Sequence, residues 1–317
     1  MKLSKIFTLA SVMICLSMAA FAKVKVVTTI FPEYDWVKQI AGEKSANIDL
    51  TLLMDNGVDL HSFQPSVKDI AKISNADIFI YVGGESDEWV EGVLKSAKNK
   101  KLLSINLLEI LEGKLHEEEV IEGMECEEED EEDGAEEEKE YDEHVWLSLK
   151  NAKILCNAIT EALCQKDAEN AALYKKNYAA YSAKLDSLDK EYADCVKNAK
   201  RKTVLFGDRF PFRYMIEDYK LNYYAAFLGC SAETEASFKT VLFLAKKTDE
   251  LKLPYILQIE TSDGKLASTI LKNSKSKNTK ILTIDSLQST TSSDIKNGAS
   301  YINSMKKNLE TLKLALN

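Results

Sequence analysis

The chain is poor in the residues from which catalytic and disulfide-stapled proteins are built. Only three histidines occur in 317 residues, and there is no H-E-x-x-H string. A zinc hydrolase needs a general base and an open water position on its metal. With neither that string nor a third histidine close to the other two, hydrolysis is the least expected reading. Cysteine is scarce too. Once Cys15 leaves with an N-terminal leader, Cys126, Cys156, Cys164, Cys195 and Cys230 remain, an odd number without C-x-x-C spacing. This excludes a disulfide framework and leaves mostly buried free thiols, with Cys126 exposed in an acidic loop. No stretch after residue 22 approaches the eighteen apolar residues of a membrane span, so the mature chain is expected to be soluble. Gly83-Gly84-Glu85-Ser86-Asp87-Glu88-Trp89 lacks dinucleotide-fingerprint spacing and reads as a turn with a helix cap, with Asp87, Glu88 and Trp89 available to line a cleft. No basic stripe with interleaved aromatics is present, which argues against nucleic acid as a partner.

The leader is explicit. Lys2 and Lys5 precede a mostly apolar run from Ile6 to Ala20, and Ala20-Phe21-Ala22 offers a small-x-small cleavage pattern. The expectation is a Sec signal peptide over residues 1–22 and an exported, periplasmic or extracytoplasmic protein. Val12-Met13-Ile14-Cys15 is a loose lipid-attachment string, with the bulky Ile14 arguing against it.

The remaining chain of about 295 residues is long enough for two domains. β-Branched apolar runs at Lys25 to Ile30, Ile48 to Met54 and Asp77 to Val82 alternate with helical patterns at Tyr34 to Ala41 and Val67 to Ser74. The alternation returns later. Thr203 to Phe206, Tyr223 to Ala226, Tyr255 to Ile259 and Lys280 to Ile284 read as strands, with helices near Phe210 to Asp218, Glu235 to Leu251 and Lys265 to Leu271. The predicted class is α/β: two similar lobes of parallel-sheet α/β sandwich joined by one long spine helix. Residues 23–165 form the first lobe, 166–200 the linking helix and 201–317 the second lobe. From about Asp167 the apolar spacing favours a rigid spine over a coiled-coil dimerisation arm, so a monomer is expected. A helix from Ser300 to Leu316 follows and packs back on a lobe.

Charge is concentrated in one place. Residues 117–143 hold eighteen carboxylates against the single Lys139, a net −17, and since the whole chain carries −10 the remainder carries +7. Nothing in this loop is expected to join a core. It reads either as a solvated insertion or as a weak concentrator of cations beside His144.

Two histidines stand in compact motifs, Asp59-Leu60-His61-Ser62-Phe63-Gln64-Pro65 and Asp142-Glu143-His144-Val145-Trp146. Imidazole suits zinc and its neighbours. His61 falls on the loop beyond a strand's carboxyl end, where open α/β sheets collect ligands, and His144 immediately precedes a helix. Asp208, Glu260 and Asp285 each follow a predicted strand in the second lobe. Taken singly, any of these acids reads equally well as a helix cap or an ion-pair partner, Asp208 with Arg209 or Arg213.

Thr28-Thr29-Ile30-Phe31-Pro32, Gly57 to Ser66 and Asp142-Glu143-His144-Val145-Trp146-Leu147-Ser148 resemble the metal-binding solute-binding proteins of bacterial zinc and manganese ABC importers. The resemblance covers essentially the whole mature chain. It implies two α/β lobes joined by a long helix and one transition metal held between them by two ligands from each lobe. His61 and His144 match the first-lobe ligands, and Asp285 matches the last. The third position departs, because Gly207 stands where the family has a histidine or glutamate. Asp208 is the expected replacement, with Glu260 as the fallback. Zinc is the expected metal and manganese the alternative. The implied partners are the divalent metal ion and the importer's permease, with contact to the membrane only through that permease or a lipid anchor. An adhesin of the same fold would share the site.

Overall fold

The computed structural model describes residues 23–42, 47–124, 140–229 and 236–317. The leader, Cys15, Cys126, Cys230 and most of the acidic loop lie outside the described residues.

The first lobe is built on β1 (Val24–Thr28), β2 (Ile48–Leu52), β3 (Ile78–Tyr81) and β4 (Leu103–Asn106), all parallel in the order β2-β1-β3-β4. β3 is buried along its whole length, as a parallel strand covered on both faces should be. The second lobe follows the same plan. It contains β5 (Thr203–Leu205), the two-residue β6 (Arg209–Phe210), β7 (Asn222–Tyr224), the two-residue β8 (Phe227–Leu228), β9 (Tyr255–Ile259) and β10 (Lys280–Ile284). β5 pairs with β7 and β9 with β10, all parallel, and a bridge from Phe206 to Leu257 joins the two pairs. The resulting order β7-β5-β9-β10 repeats that of the first lobe. The predicted class, two like parallel-sheet lobes with a long helix, is the observed one.

Between the lobes, residues 147–199 form two helices packed on each other. Leu149–Lys166 ends at Asp167, a short turn follows, and Ala171–Asn198 runs for 28 residues, about 42 Å at the α-helical rise. Its buried Tyr174, Tyr181, Leu185, Leu188 and Tyr192 share one large core with Trp36 and Val37 of the first lobe and Phe206, Phe212 and Tyr214 of the second. The inner apolar layer is therefore common to both lobes. Each outer layer is separate: Ile73, Phe79 and Val93 on one side, Leu244, Ile256 and Ile270 on the other.

The helix Tyr301–Ala315 bonds to the first lobe and to the long helix between the lobes. The Tyr301 hydroxyl donates to the Trp146 carbonyl (2.6 Å), its N–H donates to the Asp35 carboxylate (2.9 Å), and the Tyr192 hydroxyl donates to the Met305 carbonyl (2.6 Å). The acidic segment also differs from expectation at its described ends. Met124 is buried in the common core with Ile121 against it, while Asp142 and Glu143 are each 3 % exposed. Its first part reaches the second lobe through Arg213 to Glu119 and Lys247 to Glu122 (3.5 Å). Among the described residues no helix is long and apolar enough to cross a membrane.

Candidate metal centre

Both histidines are set by local backbone logic. Beyond β2 the chain stays hydrogen-bonded to the end of β1 through Met54, then turns at Asp55-Asn56-Gly57. Asp59 caps the short helical turn Leu60–Ser62, accepting the His61 N–H at 3.1 Å. Asp142 does the same for His144, and one of its oxygens, Oδ1, accepts both the backbone N–H (2.8 Å) and Nδ1 (3.0 Å). The second contact fixes the tautomer, because a carboxylate can only accept, so Nδ1 carries the proton and Nε2 the lone pair. His61 Nδ1 lies 2.7 Å from the Ser86 hydroxyl and 3.5 Å from Glu143 Oε2, which favours the same tautomer. Ser86 is itself held, its N–H donating to Glu143 Oε1 at 3.0 Å.

The outcome is that His61 Nε2 and His144 Nε2 face each other at 3.2 Å. When both rings are neutral, two lone pairs at that distance repel unless an electron-poor centre, a proton or a metal ion, lies between them. Two nitrogens on one tetrahedral zinc stand about 3.4 Å apart, so the pair already has the spacing that zinc requires. The surroundings are dry: the His144 side chain is fully buried and that of His61 is 12 % exposed. Burial, reinforced by the charge of His144, lowers the His61 pKa to about 3. For His144 burial also opposes protonation, but Asp142, both as a charge and as a hydrogen-bond acceptor, overrides it and raises the pKa. Burial raises Glu143, and it brings Asp87 up to about 7 with the Glu143 charge adding to the effect. Asp59 has its burial outweighed by Arg209 and His61 and stays below the usual carboxylate range.

The second lobe contributes differently. At position 207 a side chain is sterically barred: a Cβ there would lie 2.7 Å from Ala267 Cα and 2.9 Å from Ala267 Cβ. The helix Lys265–Asn273 thus occupies the space a ligand would need. Asp208 Oδ1 accepts the Arg209 N–H (2.9 Å) and Oδ2 the Ile259 N–H (3.3 Å). Asp285 Oδ1 accepts the Leu287 N–H (2.8 Å), and Asn308 clasps the Asp285 backbone on both sides. Glu260 holds the next loop, accepting from the Ser286 N–H and hydroxyl, both at 2.7 Å, and from the Ser289 hydroxyl at 3.1 Å. That loop returns the Ser286 carbonyl to the indole N–H of Trp146 (2.9 Å), two residues from His144. The structure therefore brings His61 and His144 together and engages Asp208, Glu260 and Asp285 with backbone. Among the described residues no group of three histidine, cysteine, aspartate or glutamate side chains forms a metal cage.

Other second-lobe groups do reach the pair. Gly229 backs the His144 ring so closely that a Cβ there would lie 3.1 Å from Cε1. The buried Gln288 accepts the Leu60 N–H at 3.3 Å, beside His61. Arg209 Nη2 pairs with Asp59 Oδ2 at 2.9 Å. Gln288 stands in no motif, and within Gly83 to Trp89 it is Ser86, not the expected Asp87, Glu88 or Trp89, that touches the His61 ring at 2.7 Å. Their position after strand ends was the one available signal, and it is shared with many loop residues. His116, the third histidine, stacks at a tilt on Tyr214, and its carbonyl accepts the N–H of Asp142 at 3.0 Å.

Two like α/β lobes meeting over a buried pair of nitrogen donors define a binding protein. The chain belongs to the family described as zinc-uptake complex component A, periplasmic (ZnuA), which matches residues 26–315. It is 33% identical over 299 residues to the zinc-binding protein AdcA of Streptococcus pyogenes serotype M6, covering 93% of this chain and 56% of the relative. The chain thus spans little more than half the length of these streptococcal relatives. It is 31% identical over 297 residues to the high-affinity zinc uptake system protein ZnuA of Bacillus subtilis, covering 93% of this chain and 88% of that one. Among solved structures, the Zn(II)-bound ZnuA-like domain of Streptococcus pneumoniae AdcA superposes with a TM-score of 0.70 at 31% identity, covering 93% of this chain and 99% of that domain.

Proposed function

We propose that this protein captures a divalent transition metal, zinc before manganese, outside the cytoplasmic membrane and delivers it to the permease of an ABC importer. The observation that carries the reading is the facing pair His61 Nε2 and His144 Nε2 at 3.2 Å, each ring held by a partner on its other nitrogen. Nitrogen donors aimed at one point in a dry site suit zinc, and the outer partners raise ligand basicity and fix orientation. Supporting it are the zinc-named relatives and the family, whose members are periplasmic uptake components. In this reading the protein is a carrier and not an enzyme, in keeping with relatives named for zinc binding and zinc uptake.

His61 and His144 are the first ligands to engage. Asp208 and Asp285 are proposed to complete the shell on loading, with Glu260 as the fallback, and each would exchange a backbone N–H for the metal. Native mass spectrometry with elemental analysis tests the core of this reading. One metal per mature chain is expected in the wild type and none in His61→Ala or His144→Ala. Equal metal in all three would remove the proposal. Asp208→Asn and Asp285→Asn keep an acceptor for the backbone, so a drop in zinc affinity at unchanged thermal stability assigns a ligand role.

A further inference from the structure

The second lobe places a fixed positive charge against the metal centre. The Arg209 guanidinium reaches across the lobe junction to Asp59 at 2.9 Å, the two residues being 150 positions apart in sequence. Both side chains are largely withdrawn from solvent, at 17 % and 14 % exposure. The other oxygen of the same Asp59 carboxylate accepts the backbone N–H of His61. The ion pair therefore ends on the turn that carries one of the two imidazoles.

Arg209 is not loosely placed. Its N–H is held by Asp208, whose second oxygen is anchored on β9 through Ile259. β6 pairs with β8, and the neighbouring Phe210 stacks face to face on Tyr223, with ring centroids 3.8 Å apart. The sequence supplies a cation at a place where an importing site has use for an anion. Paired with Asp59, that cation cancels a negative charge on the turn that carries His61.

Building on the capture reading, we propose that Arg209 is a resident counter-cation of the metal centre. By neutralising Asp59 it weakens metal binding at the two imidazoles and speeds release. A unit charge in a partly buried setting is worth far more than in bulk water, and one added or removed a few ångströms from a dication changes affinity roughly tenfold. The sign of the effect follows from which partner is deleted. Arg209→Gln leaves Asp59 unbalanced and makes the site more negative. Asp59→Asn keeps an acceptor for the His61 N–H and removes one negative charge, so the site becomes more positive. A contact that only held the lobes together would move both variants the same way.

The test is a chelator-competition titration with zinc and stopped-flow release into excess chelator, on the mature chain and its variants. Arg209→Gln is expected to bind zinc roughly tenfold tighter with slower release, and Asp59→Asn to bind it more weakly by a similar factor. Arg209→Lys, which retains the charge, is expected to return to wild-type values, and the spread among variants should narrow in high salt. Unchanged or weaker binding in Arg209→Gln overturns the proposal. If that variant does not fold, unchanged or tighter binding in Asp59→Asn overturns it alone. Wild-type protein that binds no zinc, or binds it equally without His61 and His144, instead overturns the capture reading, and the role of Arg209 falls with it.

Discussion

The two lobes share one strand order and close the end of their first strands with the same device, yet only one of them carries imidazoles. In the first lobe the residues beyond β1 are Thr29-Ile30-Phe31-Pro32-Glu33, and buried Glu33 turns back to accept the N–H groups of Thr29 (2.8 Å) and Ile30 (3.3 Å). In the second, Gly207-Asp208-Arg209 follows β5, and Asp208 turns back onto Arg209 and Ile259. Each lobe uses a carboxylate to satisfy backbone at the mouth of its sheet. Only the first then adds imidazoles on neighbouring loops, each with a partner on its far nitrogen. Repeating a topology repeats the places where ligands can stand, but the side chains at those places and their hydrogen bonds decide what is bound.

The sharpest way to break this asymmetry is to remove a histidine. His144→Ala should weaken zinc binding by more than about 100-fold, since even partners of ligands contribute 10- to 100-fold, and isothermal titration reads it directly. Forcing the second lobe to imitate the first should fail: Gly207→His is expected to lower stability by about 3 kcal/mol or more by overpacking against Ala267, measured as a fall in urea midpoint. Adding Ala267→Gly should recover part of that loss. Asp142→Asn frees the His144 tautomer and should cost about tenfold or more in zinc affinity while leaving the fold intact by circular dichroism.

A last effect, on stability and not on binding, is in pH dependence. Burial raises the Glu33 pKa to about 8, with the charge of Asp87 adding to it. The folded state thus holds a proton that the unfolded state has released, and stability falls as pH rises from about 4.5 to about 8. Glu33→Gln, which keeps an acceptor for the two N–H groups, should flatten the thermal midpoint across that window. An unchanged slope would assign the pH dependence to another group.

Much of this molecule is legible in its sequence because parallel strands buried on both faces give continuous apolar runs. β9, β10 and the helix Val67–Ser74 fall where periodicity predicts them. β4 is not legible because Leu-Ser-Ile-Asn is too short and too polar to signal a strand, and the two-residue β6 and β8 carry no period at all. The helix starting at Phe31 begins earlier than the predicted Tyr34, since Pro32 opens its first turn and Glu33, in place of a capping serine or threonine, accepts the N–H groups of the two residues before the helix. At the site, the histidine motifs stand out because each couples an imidazole to a carboxylate two residues before it. Ser86 and Gln288 do not, because their contacts span 25 and 228 positions. A strand-end acid is visible as such, yet sequence does not say whether its carboxylate faces a cleft or its own backbone.

The close seat of Gly207 on Ala267 also bears on how such a chain can change. Reaching an imidazole from glycine requires a side chain where a helix backbone already stands, at 2.7 Å from the nearest atom. A first substitution at 207 is disfavoured until position 267 or its helix has shifted, and a shift at 267 alone opens a void with nothing to fill it. Neither order of events passes through an unimpaired intermediate, so the two positions are locked to each other and a lineage that holds this pair is steered toward recruiting donors from other loops.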